Sequence, residues 1–305
     1  MRDILMAKIR TMLTLPIFSL SVLLTACGGS DTNTAPAAPT ATTAPAAILP
    51  TAAGANMSMP SSAIRPAVTS VLRPDSAIAN VAEITEKTGI NVLVVYPPSV
   101  TAAVPDVGGL ITLAVAETNQ AYVNSGINIQ LNLANSAEIN YSEEGQGFAT
   151  LLGDLPFLSE VASLRANAGA DIVVMLTTNN QYCGIAYLLP PSANAMAVVN
   201  YRCATGYYSF AHEIGHLQGA MHNVEDNGGT SVFSYGNGYR NIATSPAWRT
   251  IMSYSCPTTN CPRLQYFSNP NINYNGLAMG TPSTSDNARV LNETAARIAD
   301  FRNQL

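Results

Sequence analysis

All three histidines of this 305-residue chain stand in one eleven-residue window, His212-Glu213-Ile214-Gly215-His216-Leu217-Gln218-Gly219-Ala220-Met221-His222. Residues four apart on a helix lie one above the other on the same face, so His212 and His216 can present their imidazoles to a single ion. Glu213 projects beside them, near enough to touch a water on that ion without ligating it. Gly219 can take a positive φ, end the helix and turn the chain so that His222 returns as a third ligand. Three neutral nitrogens with no fourth protein ligand leave one coordination position open, as in catalytic rather than structural zinc sites. An ion held there lowers the pKa of its water from about 15.7 to about 7, and Glu213 is placed to take that proton and pass it on to a leaving group. The window therefore predicts one catalytic zinc; the sequence makes no assignment for calcium.

Such a helix needs a rigid sheet behind it. Residues 90–96 form an apolar, β-branched run closed by Pro97-Pro98 and read as a buried strand. Residues 106–125 have helical spacing and stop before Gly126; strands follow at 127–133 and 138–141. Residues 155–168 read as a helix ending at Gly169, and 171–177 as another apolar strand. Extended stretches at 184–189 and 195–201 precede the His-bearing helix, expected over 207–219, and a final helix is expected over 284–302. Alternation of strands and helices predicts a mixed or parallel sheet with helices against it. The 195–201 stretch is expected at the sheet edge, because Pro190-Pro191 and small residues flank it.

The N-terminus has the layout of an export signal, with Arg2, Lys8 and Arg10 before an apolar stretch over 11–26 that Pro16 interrupts. That stretch is too short and too broken for a comfortable membrane span. It ends in Leu24-Thr25-Ala26-Cys27-Gly28, which resembles a bacterial lipobox, with cleavage before Cys27 and lipid on its thiol; an ordinary secretory signal is the alternative. Residues 27–60 are built from Ala, Pro, Thr and Ser and read as a disordered tether, since they cannot offset the entropy of folding. Residues 61–88 are either a pro-segment or the approach to the folded domain, which is expected over 89–305. Five cysteines are an odd number. Lipid on Cys27 leaves Cys183, Cys203, Cys256 and Cys261, an even set suited to an oxidising compartment. Of the three connectivities, Cys183 with Cys203 and Cys256 with Cys261 is favoured because each closes a short loop. A net charge of −5 with no run of basic residues offers no footprint for a phosphate backbone, so nucleic acid is excluded as a partner.

The HExxHxxGxxH string resembles the signature of the metzincin metallopeptidases. A second point of resemblance is Thr250-Ile251-Met252-Ser253-Tyr254, about thirty residues after His222, which is similar to their Met-containing turn. The resemblance implies that Met252 forms an apolar floor for the imidazoles. It also implies that Tyr254 hydrogen-bonds in the transition state, the alternative being a structural tyrosine facing solvent. Softer patterns, among them 92–96, 116–122, 169–174, 183–188, Phe267-Ser268-Asn269-Pro270 and Asp286-Asn287-Ala288-Arg289, look like bacterial peptidyl-Asp metalloendopeptidases and their reprolysin-like relatives. Asn223 departs from the family, standing where many relatives place the Asp that helps anchor the Met turn.

The implied fold is α/β, of the α+β metzincin kind. It comprises a mixed twisted β-sheet with an active-site helix and backing helices, up to about residue 219, then a smaller irregular C-terminal subdomain, 220–305, ending in a helix. The implied function is a zinc-dependent endopeptidase acting on extracytoplasmic proteins, with Glu213 as general base. A catalytically silent metzincin-like surface binding protein and a zinc hydrolase of non-peptide substrates are the alternatives. Protein or peptide substrates are expected to bind as an extended strand, the chain to be monomeric, and the protein to be exported and lipid-anchored through Cys27 at the bacterial cell envelope, on the outer membrane or cell surface, or released from it. Any preference of such relatives for cutting before Asp requires a cation in the pocket, for which Arg240, Arg249 and Arg263 stand as unranked candidates.

Overall fold

In the computed structural model, residues 24–26, 86–227 and 231–304 are described. The bulk of the expected signal, Cys27, the 27–60 tether and residues 61–85 lie outside the described residues. The scaffold is a sheet of six strands: β1 (Leu24–Ala26), β2 (Thr88–Tyr96), β3 (Ile129–Glu138), β4 (Ile172–Thr177), β5 (Gly184–Tyr187) and β6 (Met196–Asn200). Their order across the sheet is β1-β5-β6-β4-β2-β3. β3, β2, β4 and β6 run parallel, while β5 is antiparallel to β6 and β1 antiparallel to β5. In β2 and β4, Val92 to Val95 and Ile172 to Leu176 are all buried. Continuous apolar runs rather than alternation are what strands covered on both faces require.

The helices are α1 (Pro98–Ala103), α2 (Val107–Asn124), α3 (Phe148–Asp154), α4 (Ser159–Ala168), α5 (Tyr201–Ala204), α6 (Ser209–Leu217) and α7 (Asn287–Ala299). Asp106 caps α2 by accepting from the Gly109 amide at 2.8 Å, and Asp286 caps α7 by accepting from the Arg289 amide at 3.0 Å. Beyond α6, short pieces dominate: the ribbon β7 (Arg240–Asn241) with β8 (Trp248–Arg249), and the hairpin β9 (Asn269–Tyr274) with β10 (Leu277–Met279). The architecture is the expected α/β arrangement of a mixed sheet with a smaller, irregular C-terminal part ending in a helix.

Three expectations are corrected. The helix expected over 155–168 is shorter: Leu155–Phe157 is a 3₁₀ turn and only Ser159–Ala168 is α-helical, as α4, while α3 lies just before that span. Pro156 lacks an N–H and clashes with the preceding turn, so the helix cannot run through it. Instead of strands at 127–133 and 138–141 there is one longer strand, β3, ending at Glu138, whose register against β2 shifts between Val92 and Leu93; residues 139–141 are not strand. The edge strand expected at 195–201 is β6, an interior strand between β4 and β5. β5 lies next to it, and the edge on that side is β1, which pairs the far side of β5.

Both favoured disulfides are present, Cys183–Cys203 with an S–S distance of 2.06 Å and Cys256–Cys261 with 2.02 Å. The first ties the residue before β5 to α5, and so fixes the edge of the sheet to the chain that leads into α6. No helix of the described residues is long and apolar enough to cross a membrane.

Candidate metal centre

Every residue of α6 is buried, His212, Glu213 and His216 included. Buried polar groups require partners, and the partners fix the imidazoles. His212 Nδ1 lies 2.8 Å from the Ile251 carbonyl oxygen, and His216 Nδ1 lies 2.8 Å from that of Ala220. A carbonyl only accepts, so each Nδ1 donates and each Nε2 presents its lone pair. Those two Nε2 atoms lie 3.2 and 3.0 Å from Nε2 of His222. Tetrahedral zinc with Zn–N bonds of 2.0–2.1 Å sets its nitrogens about 3.3 Å apart. The donor set thus fits a single divalent ion, and the carbonyls behind it are the outer partners that orient metal-binding histidines.

Electrostatics agree with the geometry. Burial pushes His216 down to about 4 against the hydrogen bond to Ala220. Burial first, then the charges of His216 and Arg263, holds His222 well below the usual histidine range, and the same causes together with His222 depress His212. All three are therefore neutral at pH 7, the form a metal needs.

Gly219 has φ of +97°, as its place after the helix predicts. There the Gly219 and Ala220 amides donate to His216 and Gly215 at 2.9 Å, closing the helix, and the chain doubles back to deliver His222. The 250–254 turn lies beneath. Its Ile251 carbonyl is the one that holds His212, and Met252 is fully buried. A Cβ on Gly215 would come within 2.7 Å of Met252 Sδ, so α6 rests on Met252 at a position with no side chain. Tyr254 packs its ring on His222 with centroids 4.1 Å apart.

The departure at Asn223 keeps the anchoring contact. Its Oδ1 accepts from the Tyr254 amide at 3.0 Å, while its Nδ2 donates to Glu225 at 2.7 Å and Asp226 at 2.9 Å. Arg240 completes this cluster, 3.3 Å from Glu225 and 2.9 Å from Asp226.

Glu213 is fully buried against the start of β5. A Cβ on Gly184 would overlap its carboxylate and lie 2.6 Å from its Cδ, so the sheet edge and Glu213 touch only because residue 184 is glycine. Gly184 and Gly215 were legible in the sequence as residues but not as supports of the site, because their role depends on which side chain lies opposite.

The softer sequence patterns hold the frame. Glu117 on α2 accepts from the Gly206 amide at 2.9 Å, fixing the approach to α6. Ser268 donates to the Asn237 carbonyl at 2.6 Å, and Asn287 donates to that of Gly236 at 2.7 Å. Thr294 on α7 donates to the Gln218 carbonyl at 2.9 Å, supporting the end of α6.

Comparison with known proteins follows the same line. The family model Reprolysin_5, metallo-peptidase family M12, matches residues 86–268. A peptidyl-Asp metalloendopeptidase of Stenotrophomonas maltophilia (strain K279a) is 49% identical over 224 residues, 70% of this chain and 52% of that protein. Another, of Pseudomonas fragi, is 40% identical over 186 residues, 61% of this chain and 100% of that protein. The chain spans about half the length of the first of these. A solved chain described as "Structure of a chaperone-substrate complex" shares the fold, with a TM-score of 0.56 at 20% identity over 71% of this chain and 36% of that one. The metal centre and the matched residues lead to one conclusion: this chain belongs to metallopeptidase family M12.

Proposed function

We propose that the protein is a zinc-dependent endopeptidase in which His212, His216 and His222 hold the ion and Glu213 is the general base. The observation that carries this reading is the convergence of three neutral imidazoles beside a buried Glu213 that abuts Gly184 of β5. When bound, zinc would acidify water and polarise a carbonyl. The remaining roles belong to the chain. Glu213 takes a proton from the attacking water and returns it to the leaving amine. Tyr254, packed on His222 and half-buried, donates its hydroxyl to the oxygen that gains charge.

An extended peptide pairs with the outer edge of β5 through main-chain hydrogen bonds, which brings its scissile bond beside Glu213. The antiparallel pairing of β1 along β5 supports this reading. The names of the relatives support peptide substrates with Asp next to the cut. They also favour a peptidase over a silent binding protein or a hydrolase of other substrates. Substrates are extracytoplasmic proteins, and the enzyme is exported and tethered through lipid on Cys27, a reading that rests on the sequence of the N-terminus.

Cleavage of a peptide library by the zinc-loaded protein, read by mass spectrometry with and without a chelator, tests this function. Chelator-sensitive cuts restored by zinc are expected. Cuts that persist in chelator would count against it.

A further inference from the structure

Strand β5 has two lateral edges. β6 takes one of them, with Gly184 opposite Val199, Ile185 opposite Val198 and Ala186 opposite Ala197. The other is paired by β1, with Leu24 opposite Tyr187, Thr25 opposite Ala186 and Ala26 opposite Ile185. That second edge is also the one assigned above to an extended peptide. A strand edge offers a single row of N–H and C=O groups, so it pairs one neighbour at a time. Substrate can therefore pair there only after β1 has left.

The register decides how far β1 reaches. Its chain runs from Leu24 to Ala26 as β5 is read backwards from Tyr187 to Ile185, so its C-terminal end points toward Gly184. Gly184 is the residue whose missing Cβ makes room for the Glu213 carboxylate. β1 thus covers β5 up to the residue beside the proposed general base. A peptide lying in the same sense, with its scissile bond at Glu213, would place the residues preceding that bond where β1 lies. The bond that follows β1 is Ala26–Cys27, at which the lipobox-like sequence Leu24-Thr25-Ala26-Cys27-Gly28 predicts cleavage.

A segment of the same chain meets this edge at a fixed effective concentration, however dilute the protein. Hydrolysis of the Ala26–Cys27 amide by a processing peptidase consumes one water and leaves a carboxylate on Ala26 and an amine on Cys27. The advantage of attachment is then lost, and only three residue pairs hold the freed segment.

We propose that the outer edge of β5 is a docking surface for the chain's own segment Leu24–Ala26, which keeps peptides from the metal centre until cleavage before Cys27 removes it. The inference rests on the endopeptidase reading above, and it makes export processing and the onset of activity one event.

The test compares two zinc-loaded proteins in the same detergent, both carrying Cys27→Ser: the full chain, and the processed chain that begins at residue 27. Intact mass verifies each N-terminus. With one peptide substrate, KM is expected to be higher in the full chain by about tenfold or more at unchanged kcat, because a tethered competitor must leave before substrate binds. Equal KM in the two proteins overturns the proposal. Thr25→Pro and Ala26→Pro are made separately in the full chain. Neighbouring amides of a strand point to opposite sides, so one of these prolines removes a hydrogen bond to β5. That variant is expected to bring KM back toward the processed value, and failure of both to do so also counts against the docking.

Hydrogen exchange reads the docking without turnover. The β5 amides that face β1 are expected to exchange about tenfold more slowly in the full chain than in the processed one. Equal exchange overturns the proposal. Absence of turnover by the processed chain counts against the endopeptidase reading instead, while exchange still decides the docking, so the two failures are distinguishable.

Discussion

His212 Nδ1 lies 2.8 Å from the carbonyl oxygen of Ile251, so the turn that carries Met252 also sets the tautomer of the first histidine of the proposed metal site. The turn is thus more than an apolar floor. With burial holding His216 at about 4 and the other two well below the usual range, the imidazoles stay neutral down to acidic pH. Protons are therefore expected to displace the metal only as the pH approaches about 4, rather than near 6.5. Metal content after dialysis across pH 7 to 4 checks this. For the metal-free protein the sign follows from linkage. The unfolded chain, with ordinary histidines, binds more protons, so stability is full above about 6.5 and falls as the pH drops from there toward the folded values. Urea midpoints of chelated protein between pH 7.5 and 4.5 are expected to decline accordingly.

Gly215→Ala places a methyl against Met252 Sδ, at 2.7 Å. Overpacking of this kind costs about 1–3 kcal/mol. Denaturant unfolding measures it. Because the turn also holds His212, zinc affinity is expected to fall with stability.

Gly184→Ala meets the Glu213 carboxylate from the sheet side. Zinc content is expected to persist, since none of the three ligands touches that methyl. Catalysis is expected to drop by about 100-fold, as it does when a reacting group is displaced by about an ångström. Parallel zinc and kcat/KM measurements check the separation.

Asn223→Asp restores the residue many relatives carry, yet it is expected to destabilise this chain. The acceptor for the Tyr254 amide survives, but both donor contacts, to Glu225 and Asp226, become contacts between carboxylates. Glu225 is largely exposed, with 67% of its side chain accessible, so solvent screens the repulsion to about 1 kcal/mol. The loss exists only while the carboxylates are charged. It is expected to shrink as salt is added, which melting temperature reads.

The metal string was legible because its chemistry is local: helical spacing brings His212 to His216, and a glycine at 219 returns His222. Central strands β2 and β4 were legible because strands covered on both faces are continuously apolar. Less was legible where pairing is decided in space. β5 and β6 are both short and wholly buried, so nothing along the chain says which lies outside. Arg249 and Arg263 are separated by a loop closed by Cys256–Cys261, and only the fold sets them side by side. The β9–β10 hairpin did carry a signal, Asn275-Gly276 with φ of 51° and 80°, the Asn-Gly turn that tight hairpins favour. It was missed among the many polar residues around it.

The central claim, that Glu213 moves protons on an ion held by three histidines, is tested most directly by Glu213→Gln. Zinc content and kcat/KM on one peptide are measured side by side with the wild type. The account predicts about one zinc per chain in both proteins, with turnover in the variant lower by about 10²–10⁴-fold. Undiminished turnover in zinc-loaded Glu213→Gln would contradict it.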